Sequence, residues 1–301
     1  MATKKKTTPK KKQEDVVKPI VKWAGGKRKL LSDIFARVPP SIGTYYEPFF
    51  GGGAVFFSLV NRGLKFQHAV LNDMNVDLMG TYRTIQSPTG VEDLISLLQT
   101  YPHTREFYNH LRMIIPTTLR SETVRAARFL YLNKTGFNGL YRVNRKGEFN
   151  VPFGKYANPT ICDVEATMRV HKALQGVELT SVDFESCTAP AKAGDFVYFD
   201  PPYLPISPTS SFTAYTASGF PLHDHKRLAT SFYDLAERGV GVVLSNSTAG
   251  VVRKLFAEPP AIIDEVQAPR AINSKGDKRG LIGELLIRCQ TPHEAQAAQA
   301  V

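Results

Sequence analysis

Short apolar runs punctuated by glycine and proline make up most of the chain beyond its first sixteen residues. Ordered structure is expected from about Val17, where IVKWAGGKRKLL brings in the first apolar side chains. Residues 44–47 read as a short strand, EPFFGGG as a glycine turn, and AVFFSLV as the opening of a helix. HAVLND reads as a second strand, ending at Asp73. From about Val76 to Asn133 the spacing is mostly helical; in VRAARFLYLN the pattern rests on Val124, Ala127, Phe129, Leu130 and Leu132. The stretch KTGFNGLYRVNRKGEFNVPFGKY is different: basic, aromatic and broken by glycine. It predicts a hairpin of residues 140–144 and 148–151 around a turn at 145–147.

After Asn158 the strand–helix alternation resumes. FVYFD (196–200) is a buried type of strand, and a long Ser/Thr/Pro loop fills 204–219. Leu228, Phe232 and Leu235 share one helical face, with Gly239 as the stop. VGVVLSN is a strand and VVRKLF a short helix, while the strand-like IIDEVQA and GELLIRC flank a basic loop, RAINSKGDKRG. The terminal EAQAAQAV reads as a frayed tail. Strands and helices alternating on both sides of a distinct middle section predict one open, mostly parallel α/β sheet with an insertion.

Composition narrows the class. At 301 residues, 43% hydrophobic and 22% charged, the chain can bury the core of one large domain or two modest ones. No apolar run approaches the roughly 18–20 residues that span a bilayer. MATKKKTTPKKK lacks the apolar stretch of a secretion signal, so a cytoplasmic protein is expected. Cys162, Cys187 and Cys289 are too scattered for a disulfide framework or a zinc site, so no metal is expected either. The net charge of +11 favours a polyanionic partner, nucleic acid before an acidic membrane. Six lysines against two acids in the first fifteen residues predict a disordered basic tail over 1–17.

Three constellations carry chemistry. Gly51 and Gly53 sit between a strand and a helix, where backbone can approach a ligand. Phe56 replaces the third glycine of a dinucleotide fingerprint, yet Asp73 lies 22 residues past Gly51, about where an acid holds a ribose diol. A ligand with adenosine but no pyrophosphate fits both facts, and S-adenosylmethionine is one; a plain tight turn fits the glycines as well. Gly25-Gly26-Lys27 is no phosphate loop, because Val21 and Arg28 occupy positions that need glycine and Ser or Thr. That leaves Trp23, the sole tryptophan, beside two glycines and a lysine, as a site residue or a core residue. Asp200-Pro201-Pro202-Tyr203 follows a buried strand, and its prolines stiffen the backbone. One carboxylate, fixed carbonyls and one aromatic face suit an exocyclic amino group. The acceptors take both N–H hydrogens, and the ring, more than its hydroxyl, stacks on the base.

In order, KWAGGK, EPFFGGG, LNDMNVDL, FLYLNKTGFNGLYRVNRKGEFNVPFGKY, FDPPY, FTAYT and VLSN resemble the Dam-type DNA adenine-N6 methyltransferases of the alpha group, from about Lys18 to Arg288. The resemblance implies a Rossmann-like S-adenosylmethionine-dependent methyltransferase sheet over 18–78 and 160–290. An inserted, mostly helical target-recognition domain at 79–159 would carry the hairpin, and 291–301 would be a tail. It implies that Trp23, Lys27, Gly51, Gly53, Asp73 and Asp200 bind S-adenosylmethionine, and that Asp200, Pro201 and Tyr203 are catalytic. It also implies double-stranded DNA as partner, contacted by Lys22, Phe137, Asn138, Leu140, Arg142 and Pro152, with GATC as the favoured site and base flipping as the route. A monomer without metal is expected, either an orphan enzyme or the companion of a restriction nuclease. Two alternatives stay open: an RNA or protein-amide acceptor, and a DNA-binding protein that has lost catalysis.

Overall fold

A computed structural model describes residues 15–27, 29–144, 147–205, 219–269 and 281–289. The expected tails, the FTAYT segment and the basic loop after Pro269 fall outside these residues, apart from Asp15, Val16 and Val17. The strands are β1 (Ile42–Glu47), β2 (Phe66–Asn72), β3 (Glu178–Thr180), β4 (Phe196–Phe199), β5 (Gly241–Ser247), β6 (Ala261–Pro269) and β7 (Leu281–Cys289). The helices are α1 (Leu31–Phe35), α2 (Ala54–Arg62), α3 (Val76–Gln86), α4 (Pro88–Thr100), α5 (Arg105–Met113), α6 (Glu122–Thr135), α7 (Val164–Ala173), α8 (Phe184–Thr188), α9 (Leu222–Glu237) and α10 (Gly250–Leu255).

All strands join one Rossmann-like sheet in the order β3-β2-β1-β4-β5-β7-β6. The first five pair in parallel, and β7 runs antiparallel between β5 and β6. All four residues of β4 are buried and so are six of the seven in β5, as expected of central strands covered on both faces. The strand order reverses between β1 and β4. Loops leaving the carboxyl ends of these two neighbours head apart and leave a crevice, the usual ligand position in open α/β sheets. The glycine turn leaves β1 there, and Asp200 leaves β4.

Local signals set the helix ends. Asn75, Ser87, Thr104, Ser121, Asp163 and Asp183 cap α3 through α8, each accepting from a backbone N–H of the first turn. Gly239, at φ 76°, follows the end of α9, as its position in the sequence predicts. Two apolar clusters flank the sheet. One joins Tyr46, Val197 and Phe199 to α9 and α10. The other begins with Tyr45, Phe56 and Tyr198 and continues without a break through α3 into α4, α5 and α6. The inserted helices thus share a core with the sheet. The expected boundary at Met79 lies within α3, among buried Leu78, Tyr82 and Ile85.

The structure corrects one expectation. The segment expected as a regular hairpin holds only isolated bridges, Val143 to Phe149 and Gly136 to Phe153. Pairing persists through Asn144 N to Glu148 O (2.9 Å) and Asn150 N to Arg142 O (3.1 Å). Asn138 and Gly139 in the left-handed region turn the chain before the ribbon, and Pro152 has no N–H to extend the ladder. Among the described residues the ribbon is a short antiparallel pair without a continuous ladder.

At the end of β1, Glu47 is buried and accepts from the Tyr45 hydroxyl (2.7 Å) and the Phe56 amide (3.2 Å). Burial pushes its carboxyl up to about 8, the two hydrogen bonds oppose this, and the Asp200 charge adds to it. The folded chain therefore binds this proton more tightly than the unfolded chain does. Stability contributed here is present below pH ~4.5 and is lost as pH rises through 8. Glu47→Gln keeps the acceptor and removes the titration. Its urea midpoint should change less than that of the parent between pH 5 and 8.5, and an unchanged difference would refute the assignment.

Candidate active site

The segment before α1 is bound to three parts of the fold. Val17 exchanges two hydrogen bonds with the Asn61 side chain of α2 (2.9 and 2.7 Å). Asn133 of α6, fully buried, does the same for the Lys22 backbone (both 2.8 Å) and also donates to Gly139 O (3.1 Å). Trp23 lies against the glycine turn: a Cβ on Gly51 would come within 2.7 Å of the indole. Its far side stacks on Tyr141 at 5.7 Å between centroids. Gly53, at φ 73°, must be glycine, since a Cβ would meet the Phe50 ring at 2.5 Å.

The turn is held from β2. Asp73 accepts from the Gly51 amide and from the Asn75 amide, both at 2.9 Å. Burial raises its pKa, and these two bonds oppose the shift. Each of its oxygens keeps a further acceptor position. Asn72, fully buried, donates to Pro48 O and Val182 O and accepts from Val182 N, so it ties together the ends of β1, β2 and β3. Beside Asp73, Met74 (55% exposed) and Val182 (41% exposed) present apolar surface at the open edge of the crevice.

Opposite, Asp200 leaves β4 and forms an ion pair with Lys27 at 2.8 Å. Lys27 also donates to Gly25 O (2.7 Å), and its ammonium lies 4.7 Å from the centre of the Tyr203 ring. Burial pushes the Asp200 carboxyl up to about 6; Lys27 opposes this and the Glu284 charge adds to it. Tyr203 donates its hydroxyl to Glu284 of β7 at 2.7 Å. Leu204 is gripped at both backbone atoms, its N–H by Asn246 (3.3 Å) and its C=O by Ser247 (2.6 Å). Pro201 between them is buried.

The structure thus gathers Trp23, Lys27, Gly51, Gly53, Asp73, Asp200, Pro201 and Tyr203 around the reversal point. The second set lies along 136–152 with Lys22 beside it. Gly139 packs directly over the Lys22 stem, whose ammonium sits 4.3 Å from the centre of the Tyr156 ring. Phe137 is 49% exposed, so it is not local core, and its amide donates to Pro152 O (2.9 Å). Asn138 takes φ 54°, and Leu140 packs against the shared core. Arg142 is exposed, its Nε donating to Asn150 Oδ1 at 2.7 Å, and Pro152 is exposed too.

Sequence reading missed Asn133, Tyr141, Asn246, Ser247 and Glu284. The available signal was a polar residue at the end of an otherwise apolar strand, as in VLSN and GELLIRC. Among the described residues, no cluster of His, Cys, Asp or Glu is placed to hold a metal, and no helix is long and apolar enough to cross a membrane.

Residues 23–272 match the family model of the D12 class N6 adenine-specific DNA methyltransferases. A type II methyltransferase of Lactococcus lactis subsp. cremoris is 41% identical over 278 residues, covering 90% of this chain and 95% of that protein. Another, from Methanocaldococcus jannaschii, is 42% identical over 287 residues, covering 90% and 98%. The DNA adenine methylase of Escherichia coli (strain K12) is 35% identical over 268 residues, covering 88% and 93%.

Because Asn133 bonds both the Lys22 backbone and the Gly139 carbonyl, Asn133→Ala leaves a buried amide and two carbonyls without that partner. It should destabilise the chain by about 2–3 kcal/mol in urea titration. A loss below about 0.5 kcal/mol, the usual range of a surface change, would mean that water replaces the side chain.

Proposed function

Because the chain belongs to the D12 class of N6 adenine-specific DNA methyltransferases, we propose that it methylates adenine within GATC in double-stranded DNA, with S-adenosylmethionine as methyl donor and the target base turned out of the duplex. The observation that carries this reading is the convergence of Asp200, Pro201 and Tyr203 with Lys27 at the strand-order reversal. Residues 79–159 would supply target recognition, and 18–78 with 160–290 the reaction.

The crevice suits the donor chemically. Gly51 leaves room that a Cβ would fill beside Trp23, Asp73 offers acceptors for a ribose diol, and Met74 and Val182 offer apolar surface for a purine. When bound, S-adenosylmethionine supplies a methyl group on sulfonium, which passes to N6 as the carbon–sulfur bond breaks. The chain's own residues do the rest. Tyr203 stacks on the base, while the Asp200 carboxylate and the Pro201 carbonyl accept the two amino hydrogens. An adenine amine is a poor nucleophile because its lone pair is delocalised into the ring; two acceptors favour a pyramidal nitrogen with that pair aimed at the methyl. Positive charge develops on N6 beside Asp200, which then favours loss of one proton towards solvent. Lys27 holds Asp200 through Oδ1 at 2.8 Å, which fixes the carboxylate that faces the amine.

On the recognition side, an arginine in the major groove reads guanine O6 and N7 in bidentate fashion, and Arg142 is exposed on the ribbon. Phe137 stands free to occupy the space near the vacated base position.

Plasmid DNA incubated with the chain and labelled S-adenosylmethionine should acquire label in adenine and become resistant to a GATC-cleaving nuclease. Label in cytosine would sink the mechanism, and label without protection would sink the site. Asp200→Ala should lower turnover by ~10²–10³-fold or more while duplex binding persists. Since only the ionised Asp200 supplies the negative charge that faces the developing cation on N6, turnover should fall as pH drops through about 6; a flat rate from pH 7.5 to 5 would exclude it from that role. Arg142→Ala should relax discrimination at one guanine by ~1–3 kcal/mol in competition with singly substituted duplexes. Equal weakening of every sequence would reassign it to the backbone.

A further inference from the structure

Glu284 lies far in sequence from every motif, yet the sheet register delivers it to the reacting centre. On β7 it pairs with Ser247, the last residue of β5, and Leu286 pairs with Ser245. Alternation puts Glu284 and Leu286 on the same face, and Leu286 belongs to the apolar cluster that holds Tyr198 of β4. Tyr198 is two residues before Asp200 and bonds Ser245 through its hydroxyl (2.7 Å). Tyr198 and Asp200, Ser245 and Ser247, and Leu286 and Glu284 thus line one face of three adjacent strands. Glu284 is the carboxylate at the mouth of that face, and its Oε2 accepts the Tyr203 hydroxyl at 2.7 Å.

We infer that Glu284 is a positioning residue for the aromatic platform: its hydrogen bond to the Tyr203 hydroxyl fixes the ring plane on which the target adenine stacks. This rests on the reading of Tyr203 given above. The two prolines stiffen the backbone before Tyr203 but not its side chain, which can turn about χ1 and χ2 unless its far end is tethered. Burial and the nearby carboxylates keep the hydroxyl protonated and so a donor. Donation to a carboxylate also enriches the ring in electrons, which favours a base gaining positive charge above it. Glu284 acts on its neighbour Asp200 as well. The charged groups acting on Asp200 are Lys27, from the segment before α1, and Glu284, while Asp200 in turn raises the pKa of Glu47 and Tyr45 of β1, Tyr198 of β4 and Tyr203. Lys27 and Glu284 act on Asp200 in opposite directions.

The test is a double-mutant cycle read by single-turnover methylation of a duplex oligonucleotide. Glu284→Ala and Tyr203→Phe should each slow the transfer by roughly 10- to 100-fold through lost orientation, with binding of duplex and S-adenosylmethionine unchanged. The double variant should be no slower than either single one. Glu284→Gln keeps an acceptor oxygen, so it should recover most of the rate at pH 7.5 and move the acid limb of turnover to lower pH. A duplex with 2-aminopurine at the target should emit more strongly with Glu284→Ala than with the parent, because the base is no longer held flat on the ring. Multiplying losses in the double variant, an Ala variant as fast as the parent, or an unmoved acid limb in Glu284→Gln each overturn the inference. Should Glu284→Ala not fold, Glu284→Gln and its acid limb decide alone. A parent chain inactive on any duplex would instead sink the methyltransferase reading and this inference with it.

Discussion

A carboxylate held away from water beside a single ammonium is the condition on which the rest of this molecule depends. Taking both charges of the Lys27–Asp200 pair out of solvent is costly, and only good geometry recovers the loss. Lys27 sits on a loop with two glycines, a poor place from which to hold a charge still. The rigidity comes from elsewhere: from Asn133 gripping the Lys22 backbone, Asn61 gripping Val17, and Trp23 seated on Gly51. Burial pushes the Glu47 carboxyl in the same neighbourhood up to about 8, so Glu284 rather than Glu47 is the carboxylate whose charge the pair meets.

The strand-order reversal explains why these groups meet. Neither the glycine turn nor the Asp-Pro-Pro-Tyr segment is a site alone. Parallel pairing of Tyr45 and Tyr46 with Phe196 and Val197 brings the two loops side by side, with the same polarity and at the same end of the sheet. Asn72 and Ser247 then do from the flanks what the sheet cannot, pinning loop backbone that has left the ladder.

Much of this was legible in the chain. FVYFD and VGVVLSN read as buried strands because central parallel strands need apolar residues on both faces, and they lie where expected. The glycine turn, Asp73, Lys27 and the Asp200 string were readable because their chemistry is local. What escaped is non-local or under-patterned. The three residues of β3 become a strand by pairing with β2, not by their own pattern. Asn133 reaches Lys22 across 111 positions and Glu284 reaches Tyr203 across 81. No window of sequence joins such pairs. Residues 140–144 and 148–151 read as a regular hairpin, and no local pattern shows that its pairing stops at an isolated bridge, with the left-handed Asn138 and Gly139 on one side and Pro152 on the other.

The apolar cluster that runs unbroken from the sheet through α3 into α6 limits how this protein can be rebuilt. A domain joined by a linker can be exchanged as a cassette; residues 79–159 cannot, because cutting at either end of the insertion opens a packed interior. The practical unit of exchange is the ribbon, which rests on the core through Leu140, Tyr141, Phe149 and Val151 and exposes Arg142, Glu148 and Pro152. Exposed side chains on this one loop pair can therefore change at little cost to folding while the helices beneath stay fixed.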